Sequence, residues 1–126
     1  IPAVTDHELE AILEAAAAAG AVGAAYVLLR LPLEVKDLFR EWLDAHAPLR
    51  AAHVMSLVRG MRGGRDNDPR FGHRMRGEGP YAELLKARFH AACRRLQLEG
   101  RYRESAAELD VTRFRVPPAG GQLALL

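Results

Sequence analysis

One apolar segment, AAYVLLRLP at residues 24–32, constrains the fold more than any other part of the chain. This continuous apolar run is interrupted by a single arginine and ended by Pro32, which is typical of a strand buried on both faces of a parallel sheet. Such a strand needs neighbours, because its backbone donors and acceptors are otherwise unpaired. No other segment resembles a partner strand, apart from a short stretch at Ile1–Val4. We therefore expect the missing strands upstream, in a larger α/β domain.

The other ordered segments are predicted to be helices, because their apolar residues recur at helical spacing. Thr5 and Glu8 have the spacing of a capping box before the first helix, and Gly20 supplies a left-handed end. Pro48 and Pro80 are each typical of a first helical turn. The predicted helices cover residues 5–20, about 34–46, 48–61 and 80–100. The second is marked by Val35, Leu38, Phe39, Trp42 and Leu43. The third is expected to turn its apolar residues inward, namely Val54, Leu57, Val58 and Met61.

We divide the chain into three parts on this basis. Residues 1–47 are expected to end a larger α/β unit, and residues 48–103 to form a helical extension that contains an Arg/Gly-rich loop at 59–79. Residues 104–126 carry prolines and glycines that favour an extended tail. The predicted class is thus an α/β fragment that is predominantly helical.

Charge is distributed unevenly along the chain. Residues 1–49 carry eight acids and three bases, a net charge of −5, whereas residues 50–126 carry fifteen bases and eight acids, a net charge of +7. This asymmetry predicts an anionic partner for the second part. The single cysteine, Cys93, excludes an internal disulfide and favours a reducing, cytoplasmic setting. No stretch of about 18 apolar residues is present, so no membrane span is predicted.

The basic residues concentrate in RGMRGGRDNDPRFGHRMRG, residues 59–77, which holds six arginines, no lysine and two carboxylates. Three interpretations are open: a mobile loop, an ordered loop that binds phosphate, and a loop whose arginines pair with carboxylates of the chain itself. Arginine presents a planar fork that suits phosphate, and glycine permits close approach of the backbone. We favour a nucleic-acid or other phosphorylated ligand, held by Arg59, Arg62, Arg65, Arg70, Arg74 and Arg76.

Aromatic residues near this stretch are candidates for stacking on bases, namely Phe71, His73 and Tyr81. The five histidines show no metal-ligand spacing, so we predict no metal site made by these residues alone. Cys93 lies on the apolar stripe of a predicted helix and is expected to be a buried thiol.

Three stretches together resemble the C-terminal third of radical S-adenosylmethionine (radical SAM) proteins of the spore-photoproduct-lyase-like, or "DNA repair photolyase", group. They are PAVTDHELEAILEAAAAAGA, YVLLRLPLEVKDLFREWL and MRGGRDNDPRFGHRMRGEGPYAELL. The resemblance implies a partial (β/α)6 barrel, with Ile1–Val4 at the end of its fifth strand and Ala24–Leu31 as its sixth. It also implies a [4Fe–4S] cluster, S-adenosylmethionine as cofactor, and DNA as a possible substrate. The family's Cys-x3-Cys-x2-Cys motif is absent here, so the cluster is expected only in an intact parent protein.

In a barrel of this type, the carboxyl ends of the strands surround the active site. Arg30 falls near that end of the predicted sixth strand and shares a face with Tyr26 and Leu28 by strand alternation. We therefore assign Leu28 and Arg30 to cofactor binding, with Arg30 facing the cofactor's carboxylate or an anionic substrate. The alternative is that Arg30 extends to water from the rim of the strand.

The last residues, GQLALL, resemble the short peptide by which bacterial DNA-repair proteins dock into the sliding clamp. Extended peptides with a few apolar anchors bind preformed pockets. The docking residues would be Gln122, Leu123, Leu125 and Leu126. A radical SAM enzyme segment is thus the first functional expectation, and a non-enzymatic helical module that binds nucleic acid or the clamp is the alternative.

Overall fold

Four helices and one long extended segment make up the part of the chain that the computed structural model describes, which is residues 1–98 with Thr112 and Arg115. The helices are α1 at Leu9–Ala18, α2 at Val35–His46, α3 at Pro48–Gly60 and α4 at Gly79–Arg95, and a 3₁₀ turn at Asp6–Glu8 precedes α1. The predominantly helical class is therefore confirmed. The predicted tail at 104–126, with its proposed clamp-docking residues, lies outside the described residues apart from Thr112 and Arg115.

The helix ends follow the sequence signals in most places. Gly20 has φ +90° just beyond α1, and Pro48 is the first residue of α3. Pro80 lies in the first turn of α4. The predicted capping box is wrong, because no side-chain hydrogen bond caps the 3₁₀ turn or α1. The last helix also ends at Arg95 rather than near residue 100.

The extended segment, residues 21–32, runs between two helix pairs and joins their cores. α1 packs on α4 around Leu13 and Phe89, and Tyr26 of the segment packs against that cluster. α2 packs on α3, and Leu31 of the segment belongs to their shared cluster. Leu28 contacts a third cluster, formed with residues at the end of α3 and the start of α4. Apolar side chains of one extended segment therefore hold the two pairs together.

The predicted strand at residues 24–31 is unpaired and only partly buried in the part of the chain that the structure describes. No β-ladder is present within residues 1–98, and Val27 is 57 % exposed. Within that range the segment forms one backbone hydrogen bond to a distant residue, from Leu28 N–H to Met75 O at 3.1 Å. Ile1–Val4 forms a turn rather than a strand, closed by hydrogen bonds from the N–H groups of Val4 and Thr5 to Ile1 O. Both candidate strands thus lack pairing partners among the residues described.

Two apolar surfaces remain open. The side chains of Val35, Leu38 and Trp42 on α2 are exposed, whereas Val54, Val58 and Met61, which were expected to point inward, are buried. Beside the extended segment, a cleft of about 210 Å³ is lined by apolar side chains that include Ile12 and Val27. Periodicity identified the exposed residues as apolar faces, but nothing within residues 1–98 covers them.

Ion pairs between α1 and α4 account for part of the charge asymmetry. The guanidinium of Arg88 donates to both carboxylate oxygens of Glu10, at 2.8 and 2.6 Å. One turn further along α1, Glu14 accepts a hydrogen bond from Arg95 at 2.6 Å. Arg88 holds the pKa of Glu10 below its usual range. The acidic first part and the basic second part therefore neutralise each other along this helix pair.

Candidate anion-binding site: the arginine loop

The connection between α3 and α4 is an ordered loop whose two ends are joined. We call residues 59–79 the arginine loop. Glu78 N–H donates to Met61 O at 3.1 Å, which closes the loop at its base. Gly77 has φ +67°, and a Cβ there would lie 2.6 Å from the Leu28 side chain and 3.1 Å from Met61 O. Only glycine fits this position, because it tolerates both the positive φ and the close approach.

Arg62 fixes the loop to the extended segment. Its side chain is 2 % exposed, and its guanidinium donates to four backbone carbonyls. Two belong to the extended segment, Leu28 O at 3.2 Å and Leu29 O at 2.9 Å. The other two belong to the loop, His73 O at 3.2 Å and Arg74 O at 3.0 Å. Burial lowers the pKa of Arg62, but a guanidinium stays charged at neutral pH.

A helical turn at residues 70–77 carries the outer part of the loop. Its hydrogen bonds run from Arg74 N–H to Arg70 O at 3.0 Å and from Gly77 N–H to His73 O at 3.1 Å. The turn contacts the extended segment again where Leu28 donates to Met75 O. The sequence left open whether this stretch is a mobile loop. In the structure, these internal hydrogen bonds give it an ordered backbone.

Two aspartates neutralise part of the loop's charge. Asp66 accepts hydrogen bonds from Arg59 at 2.8 Å and from Arg40 of α2 at 2.5 Å. The buried carboxylate of Asp68 binds the side chain of Arg70 through both oxygens, and also accepts from the Arg70 N–H at 3.0 Å. These bonds from Arg70 hold the pKa of Asp68 well below its usual range. Pairing with the chain's own carboxylates, one of the three interpretations, therefore applies to Arg59 and Arg70.

Three arginines remain directed to solvent or to an aromatic ring. Arg74 lies over Phe71, with its guanidinium carbon 5.3 Å from the ring centroid. The side chains of Arg65 and Arg76 form no hydrogen bond or ion pair with any residue in the range 1–98. The loop holds six arginines and three carboxylates, so its net charge is positive. Arg65, Arg74 and Arg76 are the members of the predicted set that are placed to meet an anion.

The residues predicted to bind the cofactor lie directly beneath the loop. The Leu28 side chain is buried in the core, and its carbonyl is occupied by Arg62. Arg30 is half-buried, with Nη1 3.9 Å from the sulfur of Met75. Its Nε is buried and has no hydrogen-bond partner in the part of the chain that the structure describes. Arg30 thus retains capacity for an anion, whereas Leu28 contributes packing.

The sequence did not predict one residue of this site, and it predicted a different role for another. Arg40 joins the loop through Asp66 from 26 positions away, and no local pattern signals that pairing. Arg62 was grouped with the phosphate ligands, although its guanidinium is occupied by backbone carbonyls. Its neighbours Gly60, Gly63 and Gly64 allow the chain to turn around it, and this cluster of glycines was the available signal.

The described residues contain no set of ligands for a metal ion or an iron–sulfur cluster. They contain no group of three or more His, Cys, Asp or Glu side chains able to hold a metal ion. Cys93 is buried in α4. A [4Fe–4S] cluster needs several thiolates, so residues 1–98 do not fit one. No helix in this range is long and apolar enough to cross a membrane.

Comparison with protein-family models, with curated proteins and with solved structures gives no match for this chain. The resemblance to spore-photoproduct-lyase-like proteins therefore stays a prediction from the sequence.

Proposed function

We propose that this chain is the closing segment of a radical SAM enzyme of the spore-photoproduct-lyase-like group. In this proposal the extended segment is the last strand of a partial (β/α)6 barrel, and the arginine loop covers its carboxyl end. The loop binds the phosphate groups of the substrate, for which DNA is the first candidate. The proposal rests on the sequence resemblance, and one structural observation supports it.

That observation is the incomplete environment of the extended segment. Residues 21–32 are apolar and extended, yet they form a single backbone hydrogen bond to a distant residue within the described range. Val27 and Ile12 are 57 % and 61 % exposed beside the cleft of about 210 Å³. An adjacent strand would pair the free backbone groups and cover these side chains. A barrel neighbour satisfies both needs at once.

The cofactor residues follow from the same geometry. A bound [4Fe–4S] cluster supplies the electron that cleaves S-adenosylmethionine reductively, and its thiolates have to come from outside this sequence, which has one cysteine. Arg30 is proposed to bind the cofactor's carboxylate, because its Nε is buried without a partner among residues 1–98. Leu28 is proposed to border the cofactor only through the packing of its side chain.

Phosphate binding is assigned to the arginines that the chain does not itself neutralise. Arg65, Arg74 and Arg76 have no carboxylate partner in the described part of the chain. Arg59 and Arg70 already bind Asp66 and Asp68, so their contribution is to order the loop. Arg62 supports the others through its four carbonyl contacts.

The test uses the protein expressed from its natural reading frame, with any in-frame residues that precede Ile1. After anaerobic iron and sulfide reconstitution, we expect a reducible [4Fe–4S] signal in electron paramagnetic resonance and formation of 5′-deoxyadenosine from S-adenosylmethionine. Arg30→Ala should weaken S-adenosylmethionine binding and leave the cluster signal unchanged, whereas the exposed Lys36→Ala should change neither. A reading frame without the three-cysteine motif, or a protein that binds no iron, contradicts the proposal.

A non-enzymatic helical module that binds nucleic acid or the sliding clamp is the second candidate. The observation that favours it is that each helix pair has its own apolar cluster. A module of this kind unfolds cooperatively on its own, and its nucleic-acid binding weakens with salt. Deletion of Gln122–Leu126 should abolish capture by the purified clamp and leave nucleic-acid binding intact, and in an intact radical SAM parent it should also leave cofactor cleavage intact. If the purified clamp captures the truncated chain as well as the unchanged chain, the tail has no docking role.

A further inference from the structure

Phe71 is the most exposed aromatic side chain of the described residues, at 88 %. It stands on the turn 70–77, whose backbone hydrogen bonds and Arg62 contacts hold it in place. Isolated exposed apolar residues are common on protein surfaces, so exposure alone indicates nothing. The exposed ring is informative here because the turn that carries it is fixed and because arginine side chains belong to the same loop.

Arg74 covers one side of the Phe71 ring. Its guanidinium carbon lies 5.3 Å from the ring centroid, within the range of a cation–π contact. The carbonyl of Arg74 is held by Arg62, so the backbone that carries the guanidinium is fixed. With 88 % of Phe71 exposed, the remaining ring surface faces solvent. The next residue is Gly72, and a Cβ there would meet no atom within 4 Å apart from its chain neighbours.

Cations without carboxylate partners flank this ring along the loop. Arg65 precedes Phe71 and Arg76 follows it, and neither pairs with a carboxylate in the described range. A cleft of about 380 Å³ between the loop and α4 is lined by Arg76 and by Lys86, whose ammonium group pairs with Glu83 in the same lining. An open aromatic side chain that stands between unneutralised cations along the sequence of one loop matches the alternation of base and phosphate in a nucleic-acid strand.

We propose that Phe71 and Arg74 form a stacking platform for an unpaired nucleobase, with the adjoining phosphates bound by Arg65 and Arg76. The ligand class is single-stranded nucleic acid, because the base faces of a duplex are stacked on each other and closed to a protruding ring. This inference rests on the proposed binding of a phosphorylated substrate by the arginine loop, and it adds the strand state and the stacking residue. Tyr81 takes no part, since its hydroxyl donates to Asp6.

The experiment measures fluorescence anisotropy with labelled oligonucleotides of about twelve nucleotides, within the site size of single-strand binders. The probes are oligo-dT, oligo-rU, an abasic strand of equal charge and a blunt DNA duplex. The variants are Phe71→Ala, Phe71→Leu and Leu49→Ala. Phe71→Leu keeps an apolar side chain without a ring, and Leu49, which is 99 % exposed on α3, controls for loss of an exposed apolar side chain elsewhere.

We expect the unchanged chain to bind a base-bearing single strand more tightly than the duplex. Phe71→Ala should weaken that binding about tenfold, which corresponds to loss of one base–aromatic stack. Phe71→Leu should behave like Phe71→Ala, Leu49→Ala like the unchanged chain, and none of the three should alter binding of the abasic strand. The oligo-dT and oligo-rU arms compare a DNA strand with an RNA strand.

Three outcomes overturn the inference. If Phe71→Ala binds like the unchanged chain while Arg65→Ala and Arg76→Ala weaken binding, the loop contacts phosphate alone, and the proposed function stands. If Phe71→Leu binds like the unchanged chain, the contact is apolar rather than stacked. If the unchanged chain binds none of the probes, the nucleic-acid part of the proposed function fails together with the platform.

Discussion

The α1–α4 pair and the arginine loop both use arginine, but in opposite ways. Between the helices, Arg88 and Arg95 reach across to Glu10 and Glu14. These ion pairs flank an apolar cluster that includes Phe89. In the loop, Arg62 is itself the buried group, and its partners are four backbone carbonyls. Arginine side chains therefore lie at the edge of the apolar cluster between the helices, whereas an arginine is the buried centre of the loop.

The difference shows that the two regions are stabilised by different interactions. The helix pair satisfies its backbone internally and gains stability from apolar burial, so its ion pairs are additions. The loop has only one short helical turn, and the carbonyls of Leu28, Leu29 and Arg74 would lie unpaired without Arg62. Removal of Arg88 between the helices should therefore cost little, and removal of Arg62 in the loop should cost much.

The largest effect is expected for Arg62→Ala. The substitution leaves the carbonyls of Leu28, Leu29 and Arg74 without their donor, so the free energy of unfolding should fall by about 3 kcal/mol or more. Arg62→Lys should recover only part of this loss, because an ammonium group cannot span carbonyls on two segments. Urea unfolding followed by circular dichroism measures both.

Arg65→Ala is the matched control for this prediction, since the residue lies three positions further on and is exposed. Its effect should stay within about 0.5 kcal/mol. An Arg62→Ala variant as stable as Arg65→Ala would remove the contrast between the two regions.

A smaller effect is expected for Arg88→Ala between the helices. The half-exposed pair with Glu10 is partly screened by water, and the apolar cluster remains, so the loss should be about 1 kcal/mol. A double-mutant cycle with Glu10→Ala isolates the energy of the pair. A loss equal to that of Arg62→Ala would show that both regions depend on arginine to the same degree.

The smallest effect is expected on the pH dependence of the free energy of unfolding. Arg70 lowers the pKa of Asp68, and Arg88 lowers that of Glu10. A carboxyl group with a lowered pKa in the folded state stabilises the protein above its unfolded pKa of about 4, and that stability is lost as the pH falls further. Unfolding measured between about pH 5 and about pH 2 should show this loss. Asp68→Asn should flatten the curve, and an unchanged slope would mean that Asp68 titrates normally.

Much of the helical framework could be predicted from sequence, because its signals are local. Pro48, Pro80 and Gly20 mark helix ends through their own backbone preferences, and each acts at its predicted position. The burial of Val54 and Phe89 follows from apolar spacing in the same way. Such features depend on residues close together in sequence, where pattern and structure are directly linked.

The remaining features depend on distant partners that no pattern specifies. Segment 24–31 has the composition of a buried strand, but composition cannot supply the neighbouring strand that makes it one. Trp42 belongs to an apolar stripe, yet the spacing does not tell whether another element covers it. Arg62 stands in the same Arg/Gly context as Arg65, and only the carbonyls of Leu28 and Leu29 distinguish its role.

Amide-resolved hydrogen exchange by NMR is the most direct test of the central claim, that Arg62 holds the arginine loop as an ordered surface on the extended segment. The account predicts slow exchange at Leu28, Gly77 and Glu78, whose N–H groups bind Met75, His73 and Met61. In Arg62→Lys these three amides should lose protection while α4 keeps its own. Exchange at unstructured-peptide rates in the unchanged chain would contradict the claim, as would protection that Arg62→Lys leaves intact.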